Sequence, residues 1–135
     1  MDENLSEYNQ YQKRMEEKYP KMLSGNYGGF AVGKGWWIIL DKLMGQIQHH
    51  IDWKNRESEV VPQVVIEQIK EKFGGLRFYY QGGDDYISGM VTMAETWAGS
   101  LCEDCGAIGE RRSGGWVRTL CDKHEAEYQA RKRNV

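Results

Sequence analysis

Long apolar runs are missing from this chain. The longest, Trp36 to Leu40, falls far short of the ~20 residues that cross a bilayer. No basic stretch followed by an apolar one opens the sequence, so no secretory leader is expected. Cysteine is scarce: there are three, an odd number that cannot all pair as disulfides within one chain. Free thiols suit a reducing compartment, and the expectation is a soluble, cytoplasmic protein without a membrane partner. A strong excess of one charge is missing too. The net charge of −2 does not by itself mark a nucleic-acid binder. Signatures of catalysis are also lacking. A zinc deaminase needs H-x-E and P-C-x-x-C, but Met93 precedes Ala94-Glu95 and Ser100-Leu101 precede Cys102. A His-Asn-His nuclease needs a second histidine near its metal hairpin, and His124 is the only one in that region. No catalytic residue is assigned, and a non-enzymatic protein is expected.

All three cysteines fall in one pattern, Cys102-x2-Cys105, then Cys121-x2-His124. Zinc takes four tetrahedral thiolate and imidazole ligands, and two short chelating pairs deliver them. The residues predict one structural zinc ion held by Cys102, Cys105, Cys121 and His124. A closed four-ligand site leaves no open position for substrate, so it predicts architecture rather than chemistry. Gly106 follows the second cysteine and frees the tight turn in which backbone N–H groups point at sulfur. Ser113-Gly114-Gly115 reads as a hairpin between Ile108–Arg112 and Trp116–Leu120, followed by a helix over Asp122 to Arg133. Knuckle, hairpin and ligand-bearing helix resemble the treble-clef zinc finger, over about the last third of the chain.

Upstream, Leu5, Tyr8, Tyr11, Met15 and Tyr19 recur at helical steps, predicting a helix over 2–19 whose stripe packs on the domain's own core and which ends before Pro20. Trp36 to Trp53 carries one apolar face and predicts a central helix. His49, His50 and Asp52 lie on it and are read as solvated polar residues, because adjacent histidines diverge by about 100° on a helix. Pro62 suits a helical first turn. Val65, Ile66, Ile69 and Phe73 give a further helical stripe, ended by Gly74-Gly75. Leu76 to Tyr80 reads as a strand. A helix capped by Asp84 or Asp85 then buries Ile87, Val91, Ala94, Trp97, Ala98 and Leu101. The expected fold class is α+β: a mostly helical single domain of about five helices, with a short β element and the zinc module. Residues 1–101 form the body and 102–135 the module. The core is expected from Trp36, Leu40, Leu43, Ile47, Ile69, Phe73, Phe78, Val91 and Trp97.

Charge is distributed unevenly. From Glu110 onward, Arg111, Arg112, Arg118, Lys123, Arg131, Lys132 and Arg133 face four acids, a balance of +3 that leaves −5 on the rest. These seven are the candidate phosphate- or partner-binding residues; the plainer role is to offset a metal site with three thiolates. Gly28 to Gly35 nearly matches a phosphate-binding loop, but Gly35 stands where Ser or Thr should hold magnesium. It reads as a structural loop, with Lys34 and Arg77 as weak candidates for a small, nucleotide-like ligand.

The string Lys70-Glu-Lys-Phe-Gly-Gly-Leu-Arg-Phe-Tyr-Tyr80 is framed by Gly33-Lys-Gly-Trp36, Ile87-Ser-Gly-Met-Val, the Cys102/Cys105 knuckle and Gly115-Trp-Val-Arg-Thr-Leu-Cys121 with His124. Over Gly33 to His124 this resembles a family of small uncharacterised proteins of bacteria and their phages and prophages. The resemblance brings no catalytic roles. It implies a phage or mobile-element origin and, by association, binding to a host protein as an inhibitor or modulator, for example of a defence system. The alternative is a nucleic-acid-binding zinc protein.

Overall fold

The computed structural model describes residues 3–133, with side-chain surroundings from Ser6 onward. The chain is α+β, with four α-helices among the described residues: α1 (Glu3–Lys18), α2 (Trp37–Lys54), α3 (Asp85–Ala98) and α4 (Asp122–Arg133). A single 3-10 turn, Lys34–Trp36, leads into α2. Strands β1 (Phe30–Ala31), β2 (Val65–Lys72) and β3 (Gly75–Gln81) form one sheet in that order. Strands β4 (Glu110–Arg112) and β5 (Arg118–Leu120) form a separate antiparallel hairpin.

The expected stripe on α1 is present: Tyr11, Met15 and Tyr19 are buried, while the side chain of Leu5 lies outside the described residues. Tyr11 stacks on Trp37 with ring centroids 4.3 Å apart, and its hydroxyl donates to the Trp37 carbonyl. Burial holds its phenol pKa well above the ordinary range. The Tyr19 hydroxyl donates to Asp41 Oδ1 at 2.6 Å. The tyrosines therefore seat α1 on the start of α2. α2 buries Leu40, Leu43, Met44, Ile47 and Ile51, the face its periodicity predicts, and α3 packs across it and along β3.

The helix expected over Val65 to Phe73 is a strand. β2 pairs antiparallel with β3, but its register slips between Ile66, opposite Tyr80, and Gln68, opposite Tyr79. This β-bulge at Glu67 adds one residue to the alternation. Ile66 and Ile69 thus both reach the core although three residues apart, a spacing that imitates a helix. The expected count of five helices drops to four for this reason. Pro62 lies outside any helix or strand, and Gly74-Gly75 is no helix cap. Phe73 and Gly74 form a two-residue hairpin turn with φ of 53° and 80°, the left-handed pair that primed turns require. Phe73 at this tip is 61% exposed, and Trp97, on the outer side of α3, is 60% exposed. Neither belongs to the core; the other seven expected core residues are buried.

His50 also departs from expectation. Its ring bonds Asp84 at 2.8 Å and stacks on Tyr86, leaving the side chain 10% exposed. Asp84 is the α3 cap, accepting from the Ile87 N–H at 3.0 Å. Among the described residues, no helix is long and apolar enough to cross a membrane.

Candidate metal centre

α3 ends at Ala98, and the chain turns through Ser100 to pair Leu101 with Ile108. Cys102 and Cys105 stand on the loop between these two partners. The Cys102 N–H donates to the Ala107 carbonyl and the Gly106 N–H to the Cys102 carbonyl, each at 2.7 Å. Gly106 completes the turn at φ 82°, as its place after the second cysteine suggested. Cys121 follows β5 directly, and His124 lies in the first turn of α4.

These elements bring together the four residues singled out by their spacing. Their donor atoms all lie within 4.8 Å of one another. Cys105 and Cys121 sulfurs are 3.8 Å apart, and His124 Nδ1 is 3.2 Å from Cys121 Sγ and 3.6 Å from Cys102 Sγ. A disulfide would need sulfurs at about 2.0 Å. Tetrahedral coordination with metal–sulfur bonds of about 2.3 Å places sulfurs roughly 3.8 Å apart. The donor set thus fits one tetrahedral metal ion, with His124 ligating through Nδ1. Backbone N–H groups of Ala107 and His124 point at the sulfurs of Cys105 and Cys121, each at 3.5 Å. The His124 N–H leads the interactions that pull the Cys121 thiol down to about 6, favouring the thiolate that metals bind.

Two buried polar residues anchor this centre to the body, and sequence reasoning singled out neither. Glu103, between the first two ligands, is 6% exposed. Its carboxylate accepts from the Gly33 N–H at 2.9 Å, and its carbonyl accepts from the Gly35 N–H at 2.7 Å. Burial raises the Glu103 pKa. A Cβ on Gly35 would overlap the carbonyl oxygen of Cys102. The glycine-rich loop is therefore a seat for the metal knuckle, as the structural reading of it expected. Trp36, fully buried, completes the seat by donating Nε1–H to the Leu101 carbonyl at 2.9 Å. Thr119, also fully buried, donates to the Gly74 carbonyl at 2.6 Å and ties β5 to the β2–β3 turn. A glutamate inside a knuckle and a threonine between Arg118 and Leu120 were the available signals.

The seven cations of the C-terminal region divide in two. Arg112 donates to the Leu120 carbonyl and to Asp122, and Arg118 donates to Asp104 at 2.7 Å, so both serve the module itself. Arg111, Lys123, Arg131, Lys132 and Arg133 are solvent-exposed. Lys34 is exposed and pairs with Glu7 at 3.3 Å, whereas Arg77 lies on β3 opposite Lys70. The centre is a closed four-donor site, which can hold structure together but offers no vacant position to a reactant. In comparisons with protein-family models, with curated proteins and with solved structures, the chain finds no match.

Proposed function

We propose that this chain is a non-catalytic, zinc-stabilised binding protein of phage or prophage origin, directed at a host protein that it inhibits or redirects, such as a component of a defence system. The observation that carries the binding role is the placement of tryptophan. Of five tryptophans, Trp53, Trp97 and Trp116 are 57%, 60% and 68% exposed. Tryptophan dominates the energetics of protein interfaces, and each exposed ring forgoes roughly 1.5–3 kcal/mol of burial if nothing covers it. The host target follows from the resemblance of the framing motifs to phage and prophage proteins. The donors support zinc, since three thiolates and an imidazole suit it and not the hard, oxygen-seeking cations.

A tagged pull-down from bacterial lysate, treated with nuclease and eluted at two salt concentrations, tests this reading. A stoichiometric protein that survives nuclease is the expected result, with about one zinc per chain by elemental analysis. Zinc-free protein of unchanged stability would contradict the metal assignment. The five exposed cations of the C-terminal end favour a second reading, nucleic-acid binding in the zinc module. It predicts affinity that falls steeply between low and physiological salt, and nucleic acid alone in the pull-down would favour it over the first.

A further inference from the structure

Phe73 is the one non-glycine residue with positive φ among the described residues. The left-handed conformation is costly for a bulky residue, and the first position of a primed turn is best filled by Asn, Asp or Gly. A phenylalanine kept there yet 61% exposed serves neither the turn nor the core. Beside it stands the tip of the second hairpin, where Gly114 and Gly115, both with positive φ, present the exposed Trp116. The two tips enclose a cleft of about 300 Å³ lined by Phe73, Trp116, Val117 and Glu71. A second cleft of about 370 Å³ shares Glu71 and Trp116 and extends to Tyr128.

The charges around these clefts are ordered. Lys72 Nζ lies 5.7 Å from the Phe73 ring centroid. The Arg111 side chain lies against Gly74, and Lys132 Nζ lies within 3.4 Å of where a Gly115 Cβ would stand. None of these three makes an ion pair among the described residues. The carboxylates at the clefts are committed elsewhere: Glu71 accepts from the Gly74 N–H at 2.7 Å and Glu103 from the Gly33 N–H. Arg118 is bound to Asp104. A largely apolar cleft with Glu71 at its floor thus sits beside three cations.

We propose that the paired hairpin tips are a docking cleft for an apolar peptide segment flanked by Asp or Glu. Large side chains of the segment pack on Phe73 and Trp116, and its carboxylates meet Lys72, Arg111 and Lys132. A single-stranded nucleic acid would also stack on the rings, but Glu71 at the floor and the acidic balance of the body disfavour a polyanion. The proposal rests on the protein-binding reading above and gives that partner its chemistry.

The test is selection of displayed random dodecapeptides on the full-length, metal-loaded protein and on its Phe73→Asn and Trp116→Ser variants. Phe73→Asn installs Asn-Gly in the turn, so its melting temperature should rise by about 3–5 °C while peptide binding falls by about tenfold or more. The enriched peptides should carry two or more large apolar residues flanked by Asp or Glu. Enrichment of basic flanks, no enrichment, or equal enrichment on the variants would overturn the proposal. So would a melting temperature that falls in Phe73→Asn, which would make Phe73 a packing residue, or an oligo-dT that binds more tightly than the selected peptides. If both variants still capture the lysate protein held by the wild type, this surface is wrong and the protein-binding reading stands. If the wild type captures no protein, that reading itself fails.

Discussion

Between Trp36 and Ala98 each helix and strand buries apolar side chains, among them Leu40, Ile47, Ile69, Leu76 and Ile87 with no exposed surface at all. In α4 no residue is buried, and among the described residues from Cys102 onward only Cys102, Glu103, Thr119 and Leu120 are. The first region is held by its removal of apolar surface from water. The second has too little such surface to fix two short strands and a polar helix, and four donors that could hold one metal converge there. The regions also meet differently from two packed domains. Their junction is a set of hydrogen bonds, from Gly33 and Gly35 to Glu103, from Trp36 to the Leu101 carbonyl and from Thr119 to the Gly74 carbonyl, made close by glycines that leave no room for a side chain.

Substitutions that strike one region and not the other should show this most strongly. Cys105→Ser removes a metal ligand. It should forfeit much of the roughly 10–16 kcal/mol with which such sites hold zinc in peptides and cost the fold of β4, β5 and α4 while sparing the α2–α3 core. Equal loss throughout, followed by near-ultraviolet and amide signals, would make the two regions one cooperative unit. Ile69→Ala, in the body, should lower stability by about 2–5 kcal/mol and leave metal affinity per folded molecule unchanged. Gly35→Ala lies at the junction: its new methyl overlaps the Cys102 carbonyl, so about 1–3 kcal/mol of destabilisation should come together with weaker metal binding, measured by competition with a chelator. Glu103→Ala strands the Gly33 N–H and should cost about 1–3 kcal/mol. Glu103→Gln keeps an acceptor, removes a charge that burial disfavours, and should be near neutral.

Among the substitutions that remove an interaction, the smallest effect is expected at the α3 cap. Asp84→Ala should cost about 1 kcal/mol. The hydrogen bond from His50 holds the Asp84 carboxyl below its ordinary range. The stability it contributes is therefore complete above the ordinary carboxylate value near pH 4 and lost as pH falls through the depressed value. Acid titration of stability should be shallower in Asp84→Ala than in the wild type, and superimposable curves would remove the pair from the account.

What the sequence made legible follows the same division. The metal site was readable because ligand spacing is local: Cys102-x2-Cys105 and Cys121-x2-His124 need little more than a hairpin between them to meet. The helices α1, α2 and α3 were readable from one-sided apolar spacing. β2 was not, since a bulge at Glu67 gave Ile66 and Ile69 a helical interval. The β-branched Val64-Val65-Ile66 ahead of it and Phe-Gly at its end were the counter-signals. Phe73 and Trp97 were assigned to the core from helical apolar spacing, yet both are exposed. The junction was hidden because it depends on which backbone lies opposite Gly33, Gly35 and Gly74, and a sequence does not display long-range approach.

The most direct measurement is amide hydrogen exchange on the metal-loaded protein and on the same protein after chelation. Protection lost from about Leu101 through α4, with α2, β2 and β3 still protected, is the predicted result. An exchange pattern in Cys102 to Arg133 that chelation leaves unchanged would contradict a metal-held end on an apolar body.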